Sequence, residues 1–238
     1  ACMILLNLYS LLISELVAKR WSKYYNYPNC TIIAMHNVEP AIFAILFDPI
    51  LNKLGFNKLK LNPKSIEKKI GFLGEPMTLG FFLGMFIGIL GSVNKLGTIA
   101  GWGDILEAAI ATSAVMAIFP KIASMFAQAF APITEAARRF MGKAGDREWY
   151  IAVNDAVGYG EPATLTSGLL LIPIMIVVST ILPGNQVLPV VDLLAIPYMV
   201  QGLVAVYKGN MSKILVAGTI WFSLGLLMCT YTAPLFTQ

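Results

Sequence analysis

Residues 74–91 read GEPMTLGFFLGMFIGILG, and residues 160–176 read GEPATLTSGLLLIPIMI. Both share Gly-Glu-Pro-x-Thr-Leu, and both run straight into an apolar segment. Proline pushes the residue before it into extended geometry, yet suits the first turn of a helix. Glu75 and Glu161 therefore fall at N-caps, with helices starting at Pro76 and Pro162. The preceding Gly74 and Gly160 permit a sharp turn or close backbone approach. Thr78 and Thr164 add a hydroxyl to each first turn. A third, looser copy, His36-Asn37-Val38-Glu39-Pro40, contains the single histidine of the chain.

Composition sets the solvent for these breaks. Of 238 residues, 57% are hydrophobic and 13% charged, about half the roughly 25% charged share of a soluble domain. Mean hydropathy is +0.72. Much of the chain is therefore expected to face lipid. Cys2, Cys30 and Cys229 show no paired or metal-type spacing. The chain starts with Ala inside an apolar run, which reads as a sequence whose N-terminal part is missing. Against a requirement of about 20 apolar residues per crossing, the candidate spans are Cys2–Val17, Thr31–Leu51, Gly80–Val93, Ile105–Phe119, Ala163–Leu182, Val190–Val206 and Ile214–Leu235. Several are short, Gly-rich or broken by Pro. The reading is an all-α polytopic membrane protein, a single domain over 1–238, with discontinuous helices, re-entrant segments and internal pseudo-symmetric repeats.

Basic residues set the orientation. Lys53, Lys58, Lys60, Lys64, Lys68 and Lys69 crowd the loop 52–70. Arg138, Arg139, Lys143 and Arg147 form a second cluster, and Lys208 and Lys213 bracket a late loop. By the positive-inside rule all three are expected on the cytoplasmic side. Parity then requires that 149–182 be one span preceded by a dip returning to its own side, and puts the Pro183–Pro189 turn outside. Residues 121–147 read as an amphipathic helix lying in the interface, followed by a cytoplasmic loop.

Transporters build substrate sites from interrupted helices, and backbone breaks at membrane depth must be buried in protein or line a polar cavity. Ionisable side chains at that depth mark function by default. Carboxylates, an imidazole and amides suit a neutral, hydroxyl-rich ligand, since carboxylates accept from hydroxyls and amides both donate and accept. The expected substrate contacts are His36, Glu39, Glu75, Thr78, Asn154, Asp155, Glu161, Thr164 and Gln186, the last also suited to shaping the outer turn. The plainer alternatives are that Glu before Pro caps a surface helix, and that the Gly-rich run serves close helix packing. His36 and Glu39 lack the further His or paired Cys of a metal shell, and the Gly-rich run is no P-loop. No cofactor and no nucleic-acid partner are expected.

Several stretches carry a resemblance in the same order: GFLGEPMTLGFFLGMFIGILG (71–91), AVMAIFPKI (114–122), APITEAARRF (131–140), PGNQVLPVVDL (183–193) and VYKGN (206–210). From about Tyr25 to the end, the chain resembles the membrane-spanning IIC component of galactitol-type phosphotransferase systems, within the ascorbate/galactitol superfamily. The resemblance implies a bacterial inner-membrane carrier for a polyol, working as a homodimer amid lipid, with inverted repeats and a substrate-binding core moving against a scaffold. It implies that a soluble IIB protein, supplied by IIA, carries the phosphoryl group on a cysteine. Members are roughly twice as long, so the chain corresponds to their middle and later part. Two departures stand out. His36 follows Ala34-Met35 and precedes Asn37 where the family has an I-P-H-G setting, and Gly160-Glu161 stands where galactitol proteins often show Gly-His. Another pentitol, hexitol or sugar acid therefore stays open as substrate. An ion-coupled secondary transporter, in which the carboxylates carry protons or Na⁺, is the rival function.

Overall fold

A computed structural model describes residues 2–59, 61, 75–141, 149–189 and 192–236. Gly74, most of the basic loop 52–70 and Lys143 and Arg147 of the second cluster lie outside them. In chain order the elements are α1 (Cys2–Tyr25), β1 (Cys30–Ile32), α2 (Met35–Lys53), α3 (Pro76–Gly91), a 3-10 turn (Val93–Lys95), α4 (Ile99–Met141), β2 (Ile151–Val153), α5 (Ala156–Tyr159), α6 (Pro162–Ile181), α7 (Asp192–Met199), α8 (Gln201–Tyr207) and α9 (Met211–Phe236). The helical membrane architecture stands. Among the described residues, three helices are long and apolar enough to cross a bilayer: Ile99–Ala137, Pro162–Ile181 and Met211–Leu235.

Both Glu-Pro units start helices as their sequence demands. Glu75 and Glu161 are N-caps in extended geometry, with the proline opening each helix. The third copy behaves differently. Pro40 lies inside α2, which starts at Met35, so Glu39 is a helical residue rather than the cap of an interrupted helix. The reason is local: the first turn of α2 is laid down by Met35–Val38, and Pro40 then withholds one backbone N–H without ending the helix.

The Gly-rich run packs as small-residue spacing suggests. A Cβ on Gly84 would stand 2.5 Å from the Ala108 carbonyl oxygen and 2.7 Å from Thr112 Oγ1, and one on Gly88 would stand 3.0 Å from Ile105 Cα. Side chains are missing from this face of α3, so α3 and α4 approach backbone to backbone. The two helices are antiparallel, and Ser113 Oγ donates to the Met77 carbonyl at 2.9 Å.

Three further features differ from the sequence reading. Ile105–Phe119 and the following amphipathic stretch form one helix of 43 residues, about 64 Å at 1.5 Å per residue, roughly twice the hydrocarbon thickness. Pro120 sits within it without breaking it. The stripe Ala123, Ala127, Phe130 and Thr134 turns away from solvent, and the Tyr27 hydroxyl donates to the Ala123 carbonyl at 2.8 Å. The described residues of the expected span Val190–Val206 form two short helices, α7 and α8, divided at Val200, and α8 from Gln201 to Ala205 is buried in the core with α1, α2, α6 and α9. Finally, β1 and β2 pair in parallel, Cys30 with Ile151 and Ile32 with Val153. Three-residue strands are too short to show a period.

The end of α2 meets the start of α9. Lys213 Nζ donates to Asp48 Oδ1 at 2.8 Å and to Asn52 Oδ1 at 2.5 Å, and the Met211 N–H donates to the Leu61 carbonyl at 2.7 Å. The described part of the first basic loop and the third basic segment thus lie at one end of the bundle.

Candidate functional site

The N-terminal turn of α2, the one-turn helix α5 and the start of α6 converge beside the C-terminal end of α1. His36 Nε2 lies 2.6 Å from Asp155 Oδ2, with the imidazole N–H donating to the carboxylate. The buried Asn37 amide donates to the same oxygen at 3.0 Å. The hydrogen bond from His36 holds the Asp155 carboxyl below its ordinary range, outweighing the opposing effect of partial burial. Gln201, fully buried, donates from Nε2 to the Asp155 carbonyl at 2.6 Å. Asn154 Oδ1 accepts from the Ala156 N–H at 2.9 Å and so shapes the turn into α5. These contacts fix Asp155 behind His36, whose side chain is 44% exposed.

A second part of the network closes around Glu161. Its Oε2 accepts from the Thr164 N–H at 2.7 Å and from the Thr164 hydroxyl at 2.9 Å, and its Oε1 accepts from the Tyr24 hydroxyl at 2.9 Å. The Tyr25 hydroxyl pairs with Thr164 Oγ1 at 2.7 Å and lies 3.4 Å from the Gln201 carbonyl oxygen, which joins the two halves. Gly160 is required here. A Cβ would collide with the Phe119 carbonyl oxygen and come within 2.8 Å of the Ala123 Cβ, so only glycine lets the break press against α4.

His36 and Glu39 open into a cavity of about 590 Å³ whose remaining lining includes Met175, Ile196, Met199, Trp221, Phe222 and Met228. Its walls are apolar and aromatic, and its polar groups come from one helical face of α2, three residues apart. The Tyr9 hydroxyl lies 3.5 Å from Glu39 Oε1. A concave apolar site with a few placed polar groups, of 300–1,000 Å³, is the usual form of a small-molecule site.

The nine expected contacts therefore separate. His36 and Glu39 line the cavity, Asp155 supports His36, and Asn154, Glu161 and Thr164 hold the helix breaks. Glu75 is exposed and makes no cap hydrogen bond, and neither it nor Thr78 lines this cavity. Gln186 is exposed in the turn after α6, where its N–H donates to Thr230 Oγ1 at 3.1 Å. Asn185 does more to shape that turn, donating to the Ser179 and Val187 carbonyls, each at 2.8 Å. Sequence reasoning passed over Tyr24, Tyr25, Gln201 and Trp221. A signal existed for Gln201, the only amide in the apolar run 193–206, and for the Tyr pair closing α1. Among the described residues no three His, Cys, Asp or Glu side chains gather as a metal-holding group.

Comparison with known proteins adds a third line. The model of the family EIIC-GAT, described as PTS system sugar-specific permease component, matches residues 1–238. The galactitol-specific EIIC component of the PTS system in Escherichia coli (strain K12) is 36% identical over 197 residues, covering 82% of this chain and 42% of that protein. Its counterpart in Escherichia coli O157:H7 gives the same figures. Another K12 protein, described without a substrate as a permease IIC component, is 31% identical over 231 residues, 96% of this chain and 51% of its own length. The chain thus spans about half the length of the curated relatives it matches. No solved structure matches.

Proposed function

We propose, from the premise that this chain belongs to the EIIC-GAT family of PTS sugar-specific permease components, that it forms the polyol-binding part of a bacterial inner-membrane translocator. The ligand is a galactitol-like polyol, held in the cavity beside α2. His36 and Glu39 take its hydroxyls, with the imidazole offering one ring nitrogen while Asp155 engages the other partner position. The Trp221 ring supplies an apolar wall against the carbon skeleton. Glu161, with three of its acceptor positions already filled by Tyr24 and Thr164, keeps the α6 break in place rather than gripping the ligand. Phosphoryl transfer falls to soluble IIB and IIA partners. The observation that carries this reading is the oriented His36–Asp155 pair at the edge of a cavity that also receives Glu39.

The test is phosphoenolpyruvate-dependent uptake of labelled galactitol in cells supplying the soluble partners, with this chain and its H36A and E39Q variants. Uptake should fall at least 10-fold in each variant, and the accumulated product should be phosphorylated. Uptake that yields free polyol and collapses with an uncoupler would instead establish ion coupling. Full activity in both variants would remove the cavity from the account.

A further inference from the structure

A second cavity, of about 470 Å³, lies at the other end of the same helix pair, lined by Asp48, Asn57, Val206, Tyr207, Lys208, Asn210 and Lys213. From His36 to Asp48 is twelve residues of α2, about 18 Å of helix rise. Between the two cavities the rings of Phe43 and Phe47 stack at 5.2 Å, and Phe43 meets Trp221 at 5.3 Å. The two cavities share no lining residue, so the second is a separate compartment.

Its chemistry differs from that of the first. Lys213 is buried, with 7% of its side chain exposed, and is held by Asp48 and Asn52. Two of its three N–H groups are used, leaving one donor. Asn52 Nδ2 donates to Asp48 Oδ2 at 3.0 Å, so the acid is oriented from two sides. Lys208 is exposed and sits in the left-handed region, with φ of 52°, as the C-cap of α8. Among the described lining residues its charge has no carboxylate once Asp48 is matched to Lys213. The Asn210 Oδ1 atom is buried without a hydrogen-bond partner. Among the described residues the cavity therefore combines one uncompensated positive charge, spare N–H donors and an unsatisfied acceptor. A cation with spare donors selects an anion, while the orphaned acceptor and the Asp48 oxygens select hydroxyls.

We propose that this compartment is a second ligand site, taking a hydroxyl-rich phosphate monoester. Lys208 and the free N–H of Lys213 meet the phosphate, and Asn210 and Asp48 meet the hydroxyls. It lies at the end of the bundle carrying the described part of the first basic loop and the third basic segment, where an anion stays in water instead of crossing hydrocarbon. The inference rests on the proposed polyol function for the hydroxylated part of the ligand; the anion part follows from the lysines alone.

The experiment is calorimetric titration of the purified chain in detergent with sorbitol 6-phosphate, inorganic phosphate and galactitol. Sorbitol 6-phosphate should bind saturably and at least 10-fold more tightly than inorganic phosphate. The K208Q change should weaken the ester at least 10-fold and leave galactitol binding unchanged, while K208R restores it, which separates loss of charge from loss of folding. The H36A change should do the reverse, weakening galactitol only. The proposal is overturned by absence of saturable ester binding, by indifference to K208Q, or by equal affinity for inorganic phosphate. If H36A leaves galactitol binding intact, the first cavity fails as the polyol site while the ester site stands.

Discussion

The two Glu-Pro units have the same sequence logic but unequal surroundings, and that inequality is measurable. Glu161 accepts three hydrogen bonds, from the Thr164 N–H, the Thr164 hydroxyl and the Tyr24 hydroxyl, at 2.7–2.9 Å. Replacement by Ala removes all three and leaves a fully buried threonine with an unsatisfied backbone donor. At about 0.5–1.5 kcal/mol per bond, the loss is roughly 3 kcal/mol. A lost N-cap by itself typically accounts for about 1 kcal/mol of it. Glu75 is exposed and makes no side-chain cap bond, so E75A should stay within about 0.5 kcal/mol of the parent. At 2–4 °C per kcal/mol for a chain of this size, E161A should melt roughly 6–12 °C below the parent and E75A within about 2 °C. The assay is tryptophan-fluorescence melting of the purified chain in one detergent at one scan rate, since membrane proteins often unfold irreversibly. Equal shifts for the two variants would refute the reasoning, because it makes hydrogen-bond satisfaction, not the motif, the source of stability.

Other expectations concern packing and protonation. G84L should abolish the α3–α4 contact, because even a Cβ there meets the Ala108 carbonyl oxygen at 2.5 Å, while G91A should be silent because nothing lies within 4 Å; melting of both variants checks this, and a stable G84L would refute the close-packed register. The Asp155 carboxyl is held below its ordinary range by His36, so its stabilising effect is present above the unfolded value of about 3.9 and disappears as pH falls through the still lower folded value. D155N should therefore lose stability at neutral pH and show a smaller further loss on acidification than the parent; parallel acid curves for the two proteins would count against the pairing.

Residue order and spacing were enough to determine the membrane class and the two helix starts at Pro76 and Pro162. Proline geometry and an apolar excess are local properties, independent of what packs nearby. The close-packed face of α3 was equally legible, because glycine at every fourth position leaves a stripe with no side chains. Spacing also marked His36, Glu39 and Asp155 as chemistry-bearing. What each would touch was decided by the tertiary structure. His36 and Asp155 are separated by 119 positions, and only the placement of the turn before α5 beside the start of α2 makes them a pair. Pro40 resembles Pro76 and Pro162 in sequence yet sits inside a helix, since the turn before it was already formed. The continuity of α4 through Pro120, the split between α7 and α8, and the buried Lys213 at Asp48 likewise depend on neighbours distant in the chain. A carboxylate's role follows from which donors reach it, and those arrive from elsewhere in the fold.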